Sequence, residues 1–284
     1  MLLKKIKTIL KLLKNGNYEF FFYLIKKKLF LSDEPFVPRK KINLLNEHYN
    51  YFKNGIVRTN FYKNSVFKYY AISEKSAITS KILGYYEIEI QKEIIKLQKK
   101  HKINSFVQFG VADGYHLIGL ANNSIFEKYI AFDNSLNSIK LFKQNLKNNK
   151  KIKKLKIFLK KASFSTIKKY ASNNEKFIFL IDIEGDEKNI LIEENVKYFR
   201  NSILLIEIHF WKKKERKQIL NFLLKYFKVR IISSQNKKIL YKNLDKKITS
   251  KFNKKELQTL LDDGRPNNMV YFSCVPINMV NDKK

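Results

Sequence analysis

The chain has 284 residues, 44% hydrophobic and 14% aromatic, which suits one large domain, alone or with an extension, and excludes a disordered chain. Its 58 basic and 25 acidic residues give a net charge of +33, which raises nucleic acid, an anionic membrane or a polyanionic substrate as partners. Only six of the bases are Arg and the lysines are scattered, so we read the charge as mainly compositional; one cysteine, Cys274, excludes an intrachain disulfide or cysteine-based zinc site, and no run of 18 apolar residues offers a membrane span.

Residues 1–31 are Lys-rich and apolar and include Phe20-Phe-Phe-Tyr-Leu-Ile25. Lysines interrupt the start and no small-residue cleavage site follows, so no signal peptide is expected and the expected location is cytoplasmic. A helix packed on the domain and an interfacial helix touching an anionic membrane at its inner face are both open for this segment. Two prolines in Ser32-Asp-Glu-Pro-Phe-Val-Pro38 end it. Residues 39–80 read as an irregular extension with a helix or two. We divide the chain into a basic, mainly helical extension at 1–82 and a ligand-binding domain at 83–284.

From Tyr85 to Lys100 the apolar spacing predicts an amphipathic helix. Strands and helices then alternate: strands at Ser105–Phe109, Lys128–Phe132, Lys156–Leu159, Lys176–Ile181 and Ser202–Ile208, with helices at Tyr115–Asn122, Ser135–Asn148, 164–171, Glu187–Phe199 (mainly helical) and Glu215–Tyr226. Val229–Ser233 and Met269–Val275 are two final strands, with no obvious crossover helix of ordinary length between them. This alternation predicts an α/β fold, a doubly wound and mostly parallel sheet with helices on both faces. Ligands of such sheets sit at the carboxyl ends of the strands, so the residues just after each strand are the informative ones.

After the first strand comes Gly110-Val-Ala-Asp-Gly114, and the second strand ends in Asp133. A strand, a glycine turn and a helix let the backbone approach a nucleotide-like ligand, and an acid at the next strand's end can accept both ribose hydroxyls. Asp133 could instead cap the next helix, a task open also to Asn134 or Ser135. The turn is not G-x-G-x-x-G and no Gly-Lys-Ser/Thr loop is present, which argues against NAD and ATP. The fourth strand ends in Ile181-Asp-Ile-Glu-Gly-Asp-Glu187, four acids around one glycine in an acid-poor chain. We expect helix capping to explain Asp186 or Glu187, and function to explain Asp182 and Glu184. In Glu207-Ile-His-Phe-Trp211 the alternation puts Glu207 and His209 on one face of the fifth strand.

Together these motifs resemble class I S-adenosylmethionine-dependent methyltransferases, specifically the FkbM-like group. Leu83-Gly-Tyr-Tyr-Glu87, Val107-Gln-Phe-Gly-Val-Ala-Asp-Gly-Tyr115, Ala131-Phe-Asp133 with Leu141-x-x-x-Asn145, Leu180-Ile-Asp-Ile-Glu-Gly-Asp-Glu187 and Ile206-Glu-Ile-His209 match in order, and Gly264-Arg-Pro266 also looks familiar. The resemblance covers about residues 83–277. It implies a Rossmann-like sheet of seven strands with the last antiparallel, and S-adenosylmethionine as cofactor. It further implies cofactor contacts from Gln108, Phe109, Gly110, Val111, Ala112, Asp113, Gly114, Tyr115, Asp133, Asn134, Ser163 and Asp182. Two positions depart from the family pattern: Gln108 stands where an acid is usual, and Leu180 where Lys is frequent.

The implied reaction is O-methylation of a hydroxyl on a glycan or small molecule, with nucleic acid not expected as substrate. His209 is the expected general base, oriented by Glu207 or Asp182. Ranked second, Asp182, Glu184 and His209 hold a divalent cation. The alternative function is a basic binding module of little or no activity, docking on nucleic acid or an anionic membrane through residues 1–80 and the lysine-rich helices.

Overall fold

Short runs of consecutive apolar residues build the centre of the sheet, as befits strands covered on both faces. The computed structural model describes residues 37–70, 77–150, 152, 154–169, 175–209, 213–234, 240, 244–263 and 269–281. Residues 1–31, Trp211 and Gly264-Arg-Pro266, singled out above, lie outside the described residues. The strands are β1 (Ser105–Phe109), β2 (Lys128–Asp133), β3 (Leu155–Leu159), β4 (Phe177–Ile181), β5 (Ile203–Glu207), β6 (Phe227–Ser233) and β7 (Val270–Pro276). They pair in the order β3-β2-β1-β4-β5-β7-β6. β1 to β5 run parallel to one another, while β7 is antiparallel to both β5 and β6. This is the expected doubly wound, Rossmann-like sheet of the class I methyltransferase type. The order reverses between β1 and β4, and that switch point is where a crevice opens.

The helices, in chain order, are α1 (Arg39–Glu47), α2 (Tyr49–Phe52), α3 (Ile78–Leu83), α4 (Ile88–His101), α5 (Tyr115–Asn122), α6 (Leu136–Leu146), α7 (Phe164–Lys168), α8 (Glu187–Ile190), α9 (Val196–Phe199), α10 (Lys213–Leu224), α11 (Lys246–Thr249), α12 (Lys254–Leu261) and α13 (Ile277–Asn281). The period-2 pleat divides the core in two. Phe106, Leu180 and Leu205 face a layer built from α4, α5 and residues 57–67. Val107, Phe109, Phe179 and Ile206 face a layer built from α7, α9 and α10. A third cluster joins α1, α2 and α3 to α11 and α12.

The stretch Glu187–Phe199 is mainly helical, as expected, but in pieces: two one-turn helices and a 3₁₀ turn at Glu193–Asn195, with buried Leu191 between them and Asn195 Nδ2 donating to the Ile190 carbonyl at 2.9 Å. Between β6 and β7 the described helices are short: α11 of four residues and α12 of eight, the latter started by a capping box in which Asn253 and Glu256 satisfy each other's backbone N–H.

Candidate functional site

At the carboxyl end of β1 the chain must turn under the end of β4. Gly110 sits at φ +80°, and a Cβ there would lie 1.7 Å from the Asp182 carbonyl oxygen, so only glycine fits. The approach is fixed by Gly110 N–H to the Phe132 carbonyl (2.9 Å) and Asp182 N–H to the Phe109 carbonyl (3.0 Å). A cavity of about 300 Å³ opens over this crossing. Gly110, Ala112, Asp133 and Asn134 line it together with Ala162, Asp182 and Glu184.

Asp133 braces the glycine turn. One carboxylate oxygen accepts the Ala112 N–H at 3.0 Å and the other the Ser135 N–H at 2.8 Å. The helix cap it could have been is Ser135, whose hydroxyl accepts the Ser138 N–H. Each Asp133 oxygen keeps acceptor capacity toward the cavity, since an ionised carboxylate offers about four lone-pair sites.

The rest of the turn faces inward. Asp113 is 1% exposed and pairs with Lys81, itself 0% exposed, at 2.6 Å. The Lys81 ammonium also lies over the rings of Tyr86 (4.8 Å) and Tyr115 (5.3 Å). Phe109, Val111 and Tyr115 are buried in the core, and Ser163 caps α7 instead of lining the cavity. Gly114, at φ +87°, starts α5. Gln108 lies beneath the turn, donating from Nε2 to the Gly110 carbonyl at 3.0 Å, while its Oε1 is buried with no hydrogen-bond partner among the described residues. Gly110, Ala112, Asp133, Asn134 and Asp182 are therefore brought to the cavity, and the other expected cofactor residues are not among its walls.

Behind the acidic wall stands His209, just past β5 and 14% exposed. Its Nδ1–H donates to Glu187 Oε1 at 2.9 Å, which leaves Nε2 turned to three other carboxylates. These are Asp182 Oδ1 at 3.4 Å, Glu184 Oε2 at 3.6 Å and Glu207 Oε1 at 3.7 Å. Burial pulls the His209 pKa down, but the Glu187 bond and the charges of Glu207, Glu187 and Glu184 outweigh it and raise the pKa above the ordinary value.

Two expectations are corrected here. Glu187, not Glu207 or Asp182, makes the bond that orients the imidazole. Glu207 is 1% exposed and accepts the Tyr271 hydroxyl at 3.0 Å. Nor does a side-chain cap on α8 account for Asp186 or Glu187: the N-cap Asp186 makes no such bond, and buried Glu187 reaches back to the Ile183 and Gly185 N–H groups at 3.3 Å. Gly185, at φ +102°, folds the loop so that this return is possible. Sequence reasoning missed Glu187 because nothing in its spacing announces that return; the available signal was an acid in an acid-poor chain beside a glycine.

A larger open groove of about 760 Å³ lies at the amino ends of the same strands, lined by Lys102, Lys128, Lys154, Lys156 and Lys176 among others. There Glu175 accepts from Ser105 and Lys128 at 2.5 and 2.9 Å.

No protein-family model and no curated protein matches the sequence. Solved structures similar in fold include an O-methyltransferase from Bacillus cereus in complex with SAH (13% identity, TM-score 0.44, covering 65% of this chain and 79% of that one). An rRNA methylase from Streptococcus thermophilus is similar at 14% identity and TM-score 0.40, covering 67% and 97%. Precorrin 8W decarboxylase from Methanobacterium thermoautotrophicum is similar at 12% and 0.42, covering 66% and 90%. Among the described residues no helix is long and apolar enough to cross a membrane.

Proposed function

We propose that the protein binds S-adenosylmethionine in the cavity at the β1–β4 switch point and transfers its methyl group to a hydroxyl of a small molecule or glycan. The observation that carries this is one cavity lined by the glycine turn, Asp133, Asp182 and Glu184 together. The residues fit such a cofactor. Gly110 leaves the backbone bare at the crossing, and the braced Asp133 carboxylate faces the cavity with capacity for two ribose hydroxyls. The cofactor supplies an electrophilic methyl on a sulfonium sulfur; the protein's own groups must align the acceptor and remove its proton.

In the simplest form of the reaction His209 Nε2 takes that proton, since Glu187 fixes Nδ1 as the protonated nitrogen. The FkbM-like assignment is supported by Asp182-x-Glu-Gly-x-Glu187 and Glu207-x-His209, whose acids and imidazole meet in one cluster. Calorimetry with S-adenosylmethionine tests the reading. Wild type should bind, and Asp133→Ala should bind about 10- to 100-fold more weakly, the worth of hydrogen bonds to a charged group. No binding by wild type would sink the reading and favour the basic binding module. His209→Ala should keep cofactor affinity and lose about 100-fold or more in methyl transfer; full turnover would remove His209 from the chemistry.

A further inference from the structure

We propose that Lys81, on α3, is a positioning residue for the cofactor: through Asp113 it holds the glycine turn in a strained shape that aims the turn at the cavity. Its effect on binding rests on the reading of the cavity as the cofactor site; its hold on the turn does not.

Three residues between Gly110 and Gly114 have positive φ. Two are the glycines at either end, which take this shape at no steric cost. The third is Ala112, at φ +47°, where a Cβ makes the left-handed region unfavourable. A side chain stays in such a place only when its surroundings leave it no alternative, and such places gather at ligand sites. Ala112 is also part of the cavity wall, and its N–H is the one that Asp133 accepts at 3.0 Å. Relaxation of Ala112 would turn that N–H away and take one of the two braces from the carboxylate that faces the cavity.

The next residue supplies the constraint. Asp113 Oδ2 accepts from the Lys81 ammonium at 2.6 Å, Oδ1 from the Tyr115 N–H at 3.2 Å, and its carbonyl from Asn145 Nδ2 at 3.0 Å. Lys81 is fixed in turn. Its ammonium lies over the Tyr86 and Tyr115 rings, and its carbonyl accepts the Tyr115 hydroxyl at 3.1 Å. The helix that carries it is tied by Thr79 Oγ1 to the Leu260 carbonyl at 2.6 Å and by the Arg58 N–H to the Ile82 carbonyl at 2.8 Å. The ion pair joins this packed unit to the turn 32 residues later. A buried ion pair is a poor source of net stability beside well-packed apolar groups, so its use here is the single geometry that it imposes.

The test compares wild type with the double variant Lys81→Met/Asp113→Asn, both as the full chain. The double change leaves no buried charge unpaired, so the chain folds, and the new amide can still accept the Tyr115 N–H. In calorimetry S-adenosylmethionine should bind the double variant about tenfold more weakly, the equivalent of the strain in one left-handed alanine. Without cofactor, the Ala112 amide should exchange with solvent about tenfold faster by NMR, while the amides of β1 keep their rates. Adding Ala112→Gly to the double variant should recover most of the lost affinity, because glycine takes the left-handed shape unaided. A part in stability alone would gain nothing from that third change. Unchanged exchange at Ala112 overturns the assignment. So does an affinity equal to that of a wild type that binds, or a loss that Ala112→Gly does not recover. A wild type that fails to bind S-adenosylmethionine, beside a double variant with the faster Ala112 exchange, keeps the hold of Lys81 on the turn and loses the methyltransferase reading.

Discussion

The same parallel strands end in opposite chemistries. At their amino ends five lysines surround a wide groove; at their carboxyl ends Asp182, Glu184, Glu187 and Glu207 converge on one histidine. The two ends are one strand length apart, about 17 Å. In a chain with 58 bases and 25 acids, lysine is what an unselected surface position holds. Gathering four acids against that background costs mutual repulsion and needs a compensating positive charge. The larger groove is thus the less informative one, and the acid cluster at the carboxyl ends is the one that composition does not explain.

Three experiments break or sharpen that contrast. The strongest acts beneath the carboxyl end. Lys81→Met leaves Asp113 charged and buried under the glycine turn, and should destabilise the fold by about 3–5 kcal/mol in denaturant melts. A loss under 1 kcal/mol would show that the turn does not depend on this pair. Next comes the imidazole. With divalent ions removed by chelator, the raised pKa of His209 means that its protonated form stabilises the folded chain. That contribution is fully present below the unfolded value near 6.5 and is lost as pH rises through the higher folded value. Glu187→Gln should lower the His209 midpoint seen by NMR; an unchanged midpoint would deny Glu187 its positioning role. The smallest effect belongs to the amino end. Lys102→Glu with Lys156→Glu should leave melting and cofactor affinity within about 0.5 kcal/mol of wild type. A large change would give the lysine groove a function.

Much of the sheet was legible because its signals are local. Ser105–Phe109 and Tyr115–Asn122 are found at the expected bounds, one an apolar run of strand length and the other opened by a glycine turn. The site was legible in part. Asp182, Glu184 and His209 were expected together and do meet. What escaped depends on contacts distant in sequence. Asp113 was expected at the cofactor, yet Lys81, 32 residues earlier, takes its carboxylate inward. Gly119 on α5 serves packing by its smallness, since a Cβ there would strike the Tyr62 ring at 2.3 Å, a contact 57 residues away in sequence. The connection between β6 and β7 holds no helix longer than the eight-residue α12 among the described residues, whose Asn253-x-x-Glu256 start is a local signal too.

Asn145 has a consequence for how the chain assembles. Its buried carboxamide bonds the backbone of Lys68 and Tyr69 on one side and the Asp113 carbonyl on the other. The segment at 57–70 leaves the ribosome early, but the residue that fastens it is made 76 positions later. Tyr62 likewise waits for His116, with which its hydroxyl pairs at 2.9 Å. Closing loops of this length is slow compared with forming local helices. During synthesis the Thr59–Asn60 end can dock on Leu83 and Gly84 24 positions on, while the Lys68–Tyr69 end must wait until Asn145 is translated.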